Sequence, residues 1–62
     1  MMNKPQTLRI ISAQGTSLYL YNVVSYQFIT NKEYWMIKKA NGNYIYVHKS
    51  EVGVIGFDED LR

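Results

Sequence analysis

Catalysis has little to work with in this chain, although serine is plentiful. The chain holds one histidine, His48, and no cysteine. None of its serines stands in a Gly-x-Ser-x-Gly elbow, and no nucleophile, base and orienting acid share a catalytic spacing. His48 is expected on an outer strand face beside Tyr34, as a surface residue rather than a general base. The only carboxylate cluster is Asp58-Glu59-Asp60. It lacks the glycine and the distal glutamate of a calcium loop, so it reads as a solvated acidic tail. Gly15 and Gly42 are isolated, which argues against a phosphate-cradling loop. The expectation is a protein that is not an enzyme and takes no cofactor and no metal.

Recognition chemistry is better supplied. Six tyrosines are present, and the strand register derived below puts most of them together. Tyr19, Tyr21, Tyr34, Met36, Tyr44 and Tyr46 fall on one outer face, with Arg9, Lys38 and His48 among them. Tyr, Met and Arg are enriched at protein interfaces. Aromatic platforms interleaved with cations also bind single-stranded nucleic acid. Two plainer readings compete. Tyrosine favours strands and tolerates half-exposure, and the chain's own termini could cover the face.

The elements that position these residues are short strands. Leu8-Arg9-Ile10-Ile11-Ser12 is followed by Ala13-Gln14-Gly15 and then Thr16-Ser17-Leu18-Tyr19-Leu20. Tyr34 to Lys39 is likewise followed by Ala40-Asn41-Gly42 and then Asn43 to His48. Both loops fit a three-residue connection with glycine in the left-handed third position. In the first hairpin that register pairs Ile10 with Leu18 and Leu8 with Leu20 inside, and Arg9 with Tyr19 and Thr7 with Tyr21 outside. A two-residue loop would slip the pairing by one and mix the faces. In the second hairpin it sets Ile37 against Ile45 and Trp35 against Val47 inside. Lys38 then faces Tyr44, Met36 faces Tyr46, and Tyr34 faces His48 outside.

Between the hairpins, Val23-Val24 breaks the alternation and marks a bulge or bend. A strand from Val24 to Thr30 follows, with Val24, Tyr26 and Phe28 expected inward. Across a polar turn at Asn31-Lys32, Phe28 meets Trp35 and Tyr26 meets Ile37. Lys49 to Gly53 reads as a short turn before a last strand, Val54 to Asp58, with Ile55 and Phe57 inward. No segment shows helical periodicity over ten residues. The fold class is therefore all-β: five to six short antiparallel strands in a meander. They form a strongly bent sheet or small SH3-like barrel, with at most one short helical turn near residues 49–53.

Size permits one domain, 7–58, between a disordered lead at 1–6 and an acidic tail at 59–62. A chain of 62 residues buries only about 60% of its unfolded surface. No disulfide reinforces it, and the absence of cysteine suits a reducing compartment. No apolar run nears the ~18 residues of a membrane span, and Met1 to Gln6 lacks a signal peptide's apolar stretch. A cytoplasmic location with no membrane partner is expected. Net charge is only +2, with a mildly basic body and an acidic end.

Over residues 7–58 the order of elements resembles the SH3-like and Sm-like small barrels. In those, three central meander strands precede a single helical turn and a closing strand. The peptide-groove signature of SH3 domains is missing. The chain is also similar to short β-rich proteins of Gram-positive bacteria and their phages, through Asn22-Val23 with Tyr26 and Ser50-Glu51-Val52 with Ile55. These resemblances imply a small barrel and a bacterial or phage setting. For a phage protein the cytoplasm is the host's.

The expected function is stoichiometric binding through the tyrosine-rich face. The partner would be a second copy, as a homodimer or larger homo-oligomer, or another protein such as a host or defence protein that it inhibits. One alternative is a single-stranded nucleic-acid-binding barrel, with Arg9, Lys38, Lys39 and Lys49 on phosphates and Tyr44 and Tyr46 under bases. Another is a sponge for a nucleotide messenger.

Overall fold

The computed structural model describes residues 4–61. The expected lead-in lies outside the described residues for positions 1–3, as does the last residue of the expected tail. Five antiparallel strands form one open, bent sheet: β1 (Gln6–Ile11), β2 (Ser17–Ile29), β3 (Tyr34–Lys39), β4 (Tyr44–His48) and β5 (Val54–Phe57). Their order across the sheet is β4-β3-β2-β1-β5. Two short 3-10 turns complete the chain, Lys49–Glu51 and Asp58–Leu61. The first is the turn expected before the closing strand. The second is additional and takes up most of the segment read as a solvated tail.

Both glycine hairpins form with the expected register. Leu8 faces Leu20, Arg9 faces Tyr19 and Ile10 faces Leu18. Lys38 faces Tyr44, Met36 faces Tyr46 and Tyr34 faces His48. The two loops share one geometry. Gly15 (φ 92) donates its N–H to Ser12 O, and Gly42 (φ 91) donates to Lys39 O. Each loop is closed by a second bond, Ser12 N to Thr16 O and Lys39 N to Asn43 O, both at 2.8 Å. Positive φ is costly for residues with a Cβ, which is why glycine stands at both positions.

The two strands expected on either side of Val23-Val24 are one strand, β2, of 13 residues. It stays continuous because two bulges sit back to back, one toward each neighbour. Toward β1, Leu20 faces Leu8 and Val23 faces Gln6, so Tyr21 and Asn22 together oppose Thr7. The expected simple pair of Thr7 with Tyr21 is replaced by this bulge. Asn22 absorbs the extra residue in the left-handed region, φ 59, which asparagine tolerates better than most. Toward β3, Val23 faces Lys39 and Ser25 faces Lys38, leaving Val24 as the surplus. Each insertion reverses the in-out phase of the side chains. Leu18 and Leu20 point inward before the bend, Val23 within it, and Tyr26 and Phe28 after it. Val23 rather than Val24 is therefore the fully buried valine, while Val24 is half-buried.

The core lies on the concave side. Leu8, Ile10, Val23 and Ile37 are buried, ringed by Leu20, Tyr26, Ile45, Val47, Val52, Ile55 and Phe57. Fully burying one such aliphatic side chain contributes about 1.5–3 kcal/mol, so four make a thin core. Curvature is visible in the rings. Phe57 on β5 meets Tyr26 on β2 edge-on at 5.1 Å, across the intervening β1. Tyr26 continues to Trp35 at 6.0 Å, and Trp35 to Phe28 at 5.3 Å. Two residues read as interior are less covered than expected: Leu18 is 50% exposed and Phe28 38%. Both lie near the ends of β2.

Candidate interaction face

Alternation along β3 and β4 places Tyr34, Met36, Lys38, Tyr44, Tyr46 and His48 on the convex side. The Tyr46 ring meets Tyr34 edge-on at 5.0 Å and stacks near Tyr44 at 6.5 Å. Tyr44 and Tyr46 are well exposed, while Tyr34 and Met36 are half-buried beneath them. The three rings support one another and present two broad aromatic surfaces to solvent. Mutual support matters because an aromatic side chain with few rotamers loses little entropy when a partner fixes it.

His48 has a local task. Its Nδ1 accepts the Ser50 N–H at 3.1 Å and lies 2.9 Å from Ser50 Oγ, so it caps the first 3-10 turn. A ring that accepts through Nδ1 carries its neutral-state proton on Nε2. His48 thus anchors the end of β4 and borders the face.

Arg9, Tyr19 and Tyr21 sit on the convex side of the other half of the sheet. The Arg9 guanidinium lies 5.6 Å from the Tyr19 ring centroid, and its terminal nitrogen reaches Ser17 Oγ at 3.4 Å. Opposite Arg9 on β5 is Gly56. A Cβ there would stand 3.3 Å from Leu61, because the second 3-10 turn folds back and lays Leu61 over the glycine. The chain therefore covers its own convex face at β5. Arg9 is half-buried against Tyr19, and Tyr19 and Tyr21 remain exposed. The nine expected residues thus share the convex side as two groups, β3/β4 and β1/β2, on either side of the bend in β2.

Sequence reasoning missed several neighbours. Ser25 and Gln27 join the convex side through their pairing with Lys38 and Met36, alternating with the inward Tyr26 and Phe28. Beside them, Val24, Ser25, Lys38, Lys39 and the Ala40–Gly42 loop line an open groove of about 520 Å³. Glu33 was also missed. It occupies the turn between β2 and β3 with φ 59 and donates its N–H to Ile29 O. Its carbonyl accepts the Lys49 N–H, and its carboxylate pairs with Lys49 Nζ, each at 3.0 Å. The Lys49 ammonium, by hydrogen bond and charge, holds the Glu33 carboxyl below its ordinary range. Among the described residues no three His, Asp or Glu side chains gather as a metal cluster. No helix in that range is long and apolar enough to cross a membrane.

No family model matches this chain, and neither a curated protein nor a solved structure matches it.

Proposed function

We propose that this chain is a non-enzymatic binding module that docks another protein on its convex tyrosine face. The observation that carries this reading is the Tyr34–Tyr46–Tyr44 group. It offers preorganised, exposed aromatic rings on rigid paired strands, with Met36 beneath and Lys38 and His48 at the rim. Hot-spot residues at interfaces have this make-up, and burying such a ring is worth about 2 kcal/mol or more. The cations favour protein over nucleic acid. Arg9 is held against Tyr19 and Lys49 is paired with Glu33, so two of the four expected phosphate contacts are already engaged.

The test is co-purification with the tagged full chain, comparing wild type with Tyr46→Glu at low and moderate salt. Tyr46 is 55% exposed, so the variant is expected to keep a wild-type circular dichroism spectrum. A discrete protein is expected with wild type at both salt levels and to be lost with the variant. Equal recovery on both would contradict the reading. So would a salt-sensitive species absorbing at 260 nm, which is the mark of phosphate-driven binding.

A further inference from the structure

Beyond the convex face, β2 exposes a second kind of surface along its first half. At the mouth of the first hairpin, Ser12 N donates to Thr16 O. Bonded pairs alternate along an antiparallel ladder, so Ile10–Leu18 and Leu8–Leu20 are the bonded pairs that follow. The N–H and C=O groups of Ser17, Tyr19 and Tyr21 therefore point away from β1. On that outer side β3 runs beside β2 only from Val23 to Ile29. The last backbone bond toward it is Ala40 N to Asn22 O. The stretch Ser17–Tyr21 is thus a sheet edge in the middle of the fold, flanked by Leu18, Tyr19 and Tyr21 at 50%, 41% and 62% exposure.

Open edges are normally blunted by charge, proline or brevity. The two outermost strands of the sheet, β5 and β4, are short. β5 is four residues long and runs directly into Asp58-Glu59-Asp60. β4 ends at the Lys49–Glu33 ion pair, and its inward residues Ile45 and Val47 are already half-covered. β2 is 13 residues long, and no charged residue and no proline occurs between Gly15 and Asn31.

We infer that the Ser17–Tyr21 edge pairs antiparallel with the same edge of a second copy of this chain. The segment is its own complement. A two-fold axis near Tyr19 matches outward N–H groups with outward C=O groups. It also sets the half-exposed Leu18 of each chain against the apolar Leu18–Leu20 side of the other. The segment itself is uncharged, and the Arg9 guanidinium beside it is held against Tyr19 and Ser17. The joint runs β5-β1-β2 of one copy into β2-β1-β5 of the other. It covers the end of the concave face that the single chain leaves open, and it leaves Tyr44 and Tyr46 available to a different partner.

Sedimentation equilibrium of the full chain, from micromolar to millimolar, tests this. Wild type is expected to approach twice its 7.3 kDa mass as concentration rises. Leu18→Lys puts a charge beside the edge. Ser17→Pro removes an outward N–H and spares the ladder to β1. Each is expected to raise the dimer dissociation constant by about tenfold or more, a loss of ~1.4 kcal/mol. Tyr46→Glu is expected to leave it unchanged, which separates this edge from the convex face. In wild type the Tyr19 amide is expected to exchange more slowly at high concentration, a readout that does not depend on any variant folding. A monomer throughout the range would overturn the inference. So would a dimer abolished by Tyr46→Glu but insensitive to Leu18→Lys and Ser17→Pro, with no change in Tyr19 exchange.

Discussion

Glu33 shows how much one residue does in a chain this small. It supplies the left-handed position of the β2–β3 turn, and it ties that turn to the first 3-10 turn through its carbonyl and carboxylate. Because the carboxyl's folded-state pKa is lowered, the ion pair adds stability above the ordinary glutamate value. That contribution is lost as pH falls through the lowered value. Both side chains are more than half exposed, so the effect is small and screened by salt. Thermal melts of wild type and Glu33→Gln should therefore differ at pH 7 in low salt and converge at pH 3. A difference that persists at pH 3 would show that the pair is not its source. Nothing in the local sequence announces this role, since Asn31-Lys32 looks like the turn and the partner Lys49 is 16 positions away.

At the scale of elements, the back-to-back bulges in β2 decide which side chains reach the core. Asn22 is the residue that makes them possible. A branched side chain in the left-handed region costs about 1–2 kcal/mol, so Asn22→Val is expected to destabilise by that amount. For a domain of this size each kcal/mol lowers Tm by about 4–8 °C. Urea titration with an unchanged midpoint would contradict the assignment. The hairpins were legible in the sequence because glycine spacing and apolar alternation pointed to one register. The bend was legible as a break at Val23-Val24. Its consequence was not, because a phase reversal toward each neighbour depends on which strand pairs with which half of β2. The fold-back of Leu61 onto Gly56 was equally hidden. Three acidic residues in a row suggest solvent, and only the tertiary structure reveals that Gly56 leaves room for the leucine.

At the scale of the whole molecule, one curved sheet has too little material to cover both of its faces. Its concave side folds around four buried aliphatic residues, and Leu61 covers its convex side at Gly56. What remains is a tyrosine face and an unblunted edge, each of which can bury apolar area that the isolated chain leaves wet. Alternation alone is enough to gather the nine candidate residues on one side. Their division into two groups, with Arg9 and His48 held by local contacts, required the fold.

The most direct measurement is site-specific photo-crosslinking in cells that make the full chain, with a photoreactive phenylalanine placed at Tyr46 or, as control, at the exposed turn residue Gln14. If the convex face is the docking surface, Tyr46 gives a discrete protein adduct that Gln14 does not. The same adduct from both positions, or none from Tyr46, would contradict it.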